Sequence, residues 1–168
     1  MKPNLYVETT VISYVAARPS RDTIVAAHQK ITRDWWRLRR KRFSLYCSQL
    51  VVREAAAGDR DAAGRRVALI RALPLLEIND LATEVARALL DDGAIPKKAT
   101  EDALHIALAA VHGMEYLLTW NCKHIANAEI RAAVGAVCRA QGCEPPVICT
   151  PEELMRSEER RVGKECRL

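Results

Sequence analysis

Aromatic residues are scarce in this chain: one Phe, three Trp and four Tyr make up 5% of 168 residues. So small a share argues against a broad platform on which successive nucleic-acid bases could stack. Long apolar runs are missing too. Nothing approaches the ~20 consecutive apolar residues of a membrane span, and the N-terminal MKPNLYVETT lacks the apolar region of a signal peptide. A cytoplasmic protein without a membrane segment is expected. There the six cysteines are reduced, and the spacing of Cys138, Cys143 and Cys149 matches no zinc knuckle or ribbon. Cys122, His124 and Cys138 could share a zinc, but small buried hydrophobes are the better reading of the cysteines. The chain also lacks a P-loop lysine motif, a dinucleotide glycine fingerprint and a nucleophile elbow around Ser13, Ser44 or Ser48.

What is present is the composition of one globular domain, with 49% hydrophobic and 28% charged residues. A chain this long buries roughly 68–70% of its unfolded surface. The formal net charge is +5, and the thirteen residues RSEERRVGKECRL from Arg156 supply +2 of it, so the basic excess of the body is modest. That segment has no apolar periodicity, and Arg156 to Cys166 resembles the in-frame translation of a sequencing-library adapter. Residues 1–155 are therefore read as the single domain and 156–168 as a non-native or disordered tail.

Short apolar runs alternate with helical patterns. Strands are expected at Leu5–Val7, Ser44–Cys47, Pro74–Ile78, Tyr116–Thr119 and Val147–Cys149. Between them the spacing predicts helices over Val11–Ala17, Ser20–Arg42, Leu50–Ala57, Asp59–Leu73, Asn79–Asp92, Ala99–His112 and Asn127–Gln141. The longest would bury Ile24, Ala27, Ile31, Trp35 and Leu38. Ser48 and Asn79 read as N-caps, Gly58 as a stop, and Thr150-Pro151-Glu152-Glu153 as a capping box. The helix from Ala99 is apolar on nearly every side, which places it against a sheet and under another element. Strand–helix alternation implies parallel crossovers, hence a three-layer α/β/α sandwich with a central parallel sheet.

In such a sheet ligands sit beyond the carboxyl ends of the strands, so the residues there carry the information. Glu8 follows the first strand, with Thr9 and Thr10 behind it. Asn121 follows the fourth. Either alone reads as a helix cap. Glu54 stands three and four residues after Val51 and Leu50, so on a helix it shares their apolar face, where a carboxylate needs a cation, a metal, or an arginine such as Arg53 or Arg65. Asp102 lies in the first turn of its helix, after Thr100 as the expected cap, and His105 one turn on. His105 reads as a partner of the site, a general base, or a hydrogen-bonded core histidine. Two carboxylates about 4 Å apart repel by roughly 4 kcal/mol at an effective dielectric of 20, so three together call for a cation. Carboxylates without a His/Cys set favour Mg²⁺ or Mn²⁺ over zinc, and such an ion activates water for phosphodiester hydrolysis.

Four motifs stand in order: YVETTVISY around Glu8, SQLVVREA around Glu54, KATEDALHIALAA around Asp102 and YLLTWNCKHIAN around Asn121. Over about residues 4 to 155 the chain resembles PIN-domain proteins, close to the VapC-type toxins of bacterial toxin–antitoxin pairs. The resemblance implies a Mg²⁺- or Mn²⁺-dependent endoribonuclease, a VapB-like antitoxin as partner, and a homodimer. It implies that Glu8, Glu54 and Asp102 hold the metal while Asn121 orients a bound water or adds a weak ligand. Glu8 and Asn121 stand where the family usually has Asp. Asn121 brings an oxygen without charge, so a second metal would be held more weakly. The rival reading is a PIN-like RNA-binding or regulatory protein impaired in catalysis. The most basic stretch of the body runs from Trp35 to Arg42, and there Arg39, Arg40 and Arg42 are candidates for phosphate contact. A solvated helix face and a protein interface are the other readings of that stretch.

Overall fold

The computed structural model describes residues 1–156. Five apolar segments form strands: β1 (Asn4–Val7), β2 (Ser44–Ser48), β3 (Leu75–Leu76), β4 (Tyr116–Leu118) and β5 (Val147–Cys149). All neighbours pair in parallel, in the order β3-β2-β1-β4-β5. Leu5, Tyr6, Val7, Leu117 and Leu118 have no exposed surface. Such unbroken apolar runs suit strands that crossover helices cover on both faces.

The helices are α1 (Thr9–Ala16), α2 (Thr23–Leu38), α3 (Gln49–Ala55), α4 (Arg60–Ile70), α5 (Asp80–Asp91), α6 (Thr100–Val111), α7 (Arg131–Ala140) and α8 (Pro151–Arg156). A 3₁₀ turn spans Arg40–Arg42. Helix α5 packs on α6 and α7, while α1 packs on α2, α3 and α4, and α2 on α8. The result is a three-layer α/β/α sandwich, as the alternation predicts. Helix α6 buries seven of its twelve residues between β4 and α5, in keeping with its apolar circumference. No helix among the described residues is long and apolar enough to cross a membrane.

Local chemistry explains most boundaries. Asp22, Ser48, Asp59 and Asn79 each accept a backbone N–H three residues on, satisfying one of the donors a helix start leaves free. Thr150 and Glu153 bond reciprocally, so the capping box forms. Gly58 follows α3 at φ +82°, a conformation that glycine alone adopts without strain.

Several expectations need correction. Helix α2 starts at Thr23 and ends at Leu38, because Asp22 caps it and the Arg40–Arg42 turn tightens its exit. Its buried face is Gln29, Thr32, Trp35 and Trp36, whereas Ile24 is 68% exposed and Leu38 59%. Strand β3 shrinks to two residues, and the expected helix from Asn127 begins only at Arg131, after a stretch of turns. Thr100 is the first residue of α6 rather than its cap; Ala99 occupies that position with no side-chain bond. Arg156 closes α8, so the helix runs one residue into the segment read as a tail. Residues 157–168 of that expected tail lie outside the described residues.

Candidate functional site

Strand order reverses direction at β1, which lies between β2 and β4, and the crevice beyond their carboxyl ends is where an open parallel sheet binds ligands. The register aligns Val7 with Leu118, so the residues after β1 and β4 emerge side by side, and Glu8 N–H donates to Leu118 O at 3.0 Å.

Glu8 is the N-cap of α1, and it is only 4% exposed. Its Oε1 accepts from Thr10 N (3.2 Å), and its Oε2 accepts from the hydroxyls of Thr10 (2.5 Å) and Thr119 (2.7 Å). Those hydroxyls accept in turn from Trp120 N and Asn121 N, so Glu8 gathers the backbone after β4 as well as the start of α1. Glu54 reaches inward from α3 with a side chain 22% exposed, as its spacing from Leu50 and Val51 predicts. It accepts from the Thr9 hydroxyl, and its Oε2 lies 3.1 Å from His105 Nε2. Burial pushes its carboxyl up, but the hydrogen bond and charge of His105, the Thr9 hydroxyl and the Arg53 charge together outweigh burial and leave it below its ordinary value. The arginines expected as its partners are engaged elsewhere, Arg53 with Glu101 and Arg65 with Asp61 and Ala16 O.

His105 comes from the second turn of α6 and is 1% exposed. Its Nδ1 lies 2.8 Å from Tyr6 Oη, which lies 2.8 Å from Ser48 Oγ, which accepts from Val51 N. Burial foremost holds the Tyr6 phenol well above its ordinary range, with the charges of Glu8 and Glu54 adding to it against the Ser48 hydrogen bond. Tyr6 therefore stays a neutral hydroxyl. Among the described residues, Glu8, Glu54 and His105 form the group of three His, Cys, Asp or Glu ligand atoms lying within 4.8 Å of one another.

Asp102 stands one turn before His105 and belongs to a second group. Its Oδ1 accepts from Asn121 Nδ2 at 2.9 Å, and its Oδ2 lies 2.7 Å from His124 Nδ1. Asn121 Oδ1 accepts from His124 N, so one amide fixes both partners. A cleft of about 280 Å³ opens beside them, lined by Lys98, Thr100, Glu101, Asp102 and His124. Trp120 anchors this turn through Nε1–H to Thr32 Oγ1 at 2.7 Å and by stacking on His28, ring centroids 4.1 Å apart.

All four sequence candidates thus lie at one edge of the sheet, joined through Thr119, but in two groups. The structure groups Glu8 and Glu54 with His105, not with Asp102, and Asn121 with Asp102 rather than with the glutamates. The His105 imidazole stands within 4.8 Å of both glutamates, a neighbour that the carboxylate-only set expected from the sequence did not include. Among the described residues Cys122, His124 and Cys138 form no such group.

The basic stretch lies elsewhere. Arg40 and Arg42 precede β2, whereas Glu54 follows its carboxyl end, roughly 15 Å away along the strand at about 3.3 Å per residue. Arg39 is 9% exposed and donates to Leu154 O, so it ties α8 to α2 instead of facing a phosphate. Arg40 stands over the Trp36 ring at 5.1 Å.

Sequence reasoning passed over Tyr6 and Thr119 as site residues, gave Thr9 and Thr10 no role, read Ser48 only as a helix cap, and weighed His124 only as a zinc ligand. Tyr6 carried a signal, since a tyrosine in a buried strand must find a hydroxyl partner. No family model, no curated protein and no solved structure matches this chain.

Proposed function

We propose that this chain is a metal-dependent endoribonuclease of the PIN-domain type, the toxin of a type II toxin–antitoxin pair, acting as a homodimer on RNA and restrained by a VapB-like antitoxin. The observation that carries this reading is the convergence of buried Glu8 and partly buried Glu54 at the carboxyl edge of a parallel sheet. Two carboxylates drawn together out of water need a cation, and a single imidazole, even protonated, balances only one of them. The two glutamates fit Mg²⁺ or Mn²⁺, which take carboxylate oxygens and keep several waters. When bound, such an ion activates water and neutralises charge developing on phosphoryl oxygens.

The chain's own groups supply position. Thr10 and Thr119 aim Glu8 into the crevice, and Thr9 and His105 aim Glu54. Asp102 and His124, hydrogen-bonded to each other, line the neighbouring cleft with Lys98, and in this reading His124 and Lys98 would meet a phosphate there. The composition and the far position of Arg40 and Arg42 favour a short grip on RNA over a long stacking track.

The test is cleavage of RNA by the full chain with Mn²⁺ or with EDTA, comparing the parent with Glu54→Gln and Asp102→Asn. The parent is expected to cut only with Mn²⁺, with a loss of at least about 100-fold in each variant. Cleavage that persists in EDTA overturns the reading. Binding of RNA by the parent without any cleavage in Mn²⁺ would instead favour a PIN-like binding protein.

A further inference from the structure

We propose that His105 Nε2 is itself a ligand of the divalent centre, making Glu8, Glu54 and His105 a mixed carboxylate–imidazole site that prefers a first-row transition ion such as Mn²⁺ over Mg²⁺. This rests on the metal-dependent reading above and deepens it: the site's chemistry, rather than the activity, is at issue.

Geometry carries the argument. Nε2 lies 3.1 Å from Glu54 Oε2 and 3.9 Å from Glu8 Oε1. Adjacent donors around one ion with bonds of about 2.1 Å lie about 3 Å apart, and opposite donors about 4.2 Å. The three atoms, all within 4.8 Å of one another, have a spread compatible with donors facing one ion, and the ring is 1% exposed in the packed layer between β4 and α5. A metal-ligating histidine also needs its other nitrogen held, and Tyr6 Oη does this at 2.8 Å. Either hydroxyl of the Tyr6–Ser48 pair can donate. Without an ion, Ser48 can donate to Tyr6 and Tyr6 to Nδ1, which leaves an Nε2 proton facing Glu54. With Nε2 a ligand, that proton resides on Nδ1, which donates to Tyr6, and Tyr6 turns its own hydrogen to Ser48. No charge is created in the buried strand by the exchange. A divalent ion balances the two glutamates, and first-row transition ions, Mn²⁺ included, accept an imidazole nitrogen more readily than Mg²⁺, which prefers oxygen alone.

The experiment uses the chelator-treated full chain and Mn²⁺ as the probe, followed by electron paramagnetic resonance. Electron spin echo envelope modulation should show imidazole-nitrogen coupling to the bound Mn²⁺, and Mg²⁺ should displace it only at about 100-fold excess or more. The coupling should vanish in His105→Gln and persist in His124→Gln, which removes the other histidine at the site. Bound Mn²⁺ with no nitrogen coupling in the parent, loss of coupling in His124→Gln with retention in His105→Gln, or no Mn²⁺ binding at all would overturn the proposal. The parent spectrum decides even if His105→Gln does not fold. Nitrogen coupling without RNA cleavage would leave this site standing and sink the nuclease reading; cleavage with an all-oxygen Mn²⁺ signal would do the reverse.

Discussion

Asn121 shows how one side chain changes meaning once its partners are known. By sequence it stands where an aspartate is usual, so Asn121→Asp would be expected to strengthen metal binding. In the structure its amide nitrogen donates to Asp102 and its oxygen accepts from His124 N. The substitution keeps the acceptor, loses a charge-assisted hydrogen bond and sets a second carboxylate against the first. Asn121→Asp should lower the stability of the chelator-treated protein by about 2 kcal/mol, read as a fall in the urea midpoint. A variant as stable as the parent would mean that the amide does not hold Asp102. Glu54 was legible because Leu50 and Val51 define its face of the helix. His105 could be read as a partner of the site, a general base or a core histidine, but the groups it meets could not be read, because its hydrogen-bond partners Tyr6 and Glu54 are 99 and 51 positions away in the chain.

At the scale of elements, the helix starts with a side-chain cap at Ser48 and Asn79 followed local chemistry, whereas the face of α2 did not. The caps Ser48 and Asn79 act within three residues, so they can be read without a fold. The buried face of α2 depends on what lies beneath it: Thr32 turns inward to receive Trp120 Nε1–H, and Trp35 and Trp36 cover the core, while Ile24 and Leu38 are left in solvent. Arg39 follows from the same rotation, its guanidinium reaching Leu154 O on α8. Arg39→Ala should therefore cost about 1–3 kcal/mol as a buried hydrogen-bonded charge is removed, whereas Arg40→Ala on the exposed side should cost under about 1 kcal/mol. Urea unfolding of both variants checks this, and equal small losses would mean that α8 is not fastened through Arg39.

For the whole molecule the cysteines report how tightly the layers close. Burial pushes the thiols of Cys47 and Cys138 up to about 11 and that of Cys149 to about 12, from an ordinary 9.0. Because the folded values are raised, their contribution to stability is fully present below pH 9.0 and is lost as pH rises toward 11 and 12, where the unfolded chain ionises its thiols before the folded one does. The melting temperature should fall across that window and stay level just below it. At pH 8, iodoacetamide should modify Cys122, the exposed cysteine among the described residues, well before Cys47, Cys138, Cys143 or Cys149. Peptide mass mapping reads the order; equal labelling of Cys149 and Cys122 would mean that the β4–β5 edge opens.

The sequence by itself determined the layered architecture, because apolar runs, caps and alternation are local patterns that only a covered parallel sheet satisfies. It also determined that acidic residues would follow the strands, since Glu8 comes directly after β1 and Glu54 shares the apolar face of α3. The tertiary structure alone decided how those acids group. Register between β1 and β4 brings Thr119 to Glu8, the packing of α6 swings His105 toward Glu54, and the turn after β4 carries His124 and Asn121 to Asp102. Partners that far apart in the chain leave no periodic trace along it, because hydrogen bonds and charges act through space while the pattern of a sequence records only its neighbours.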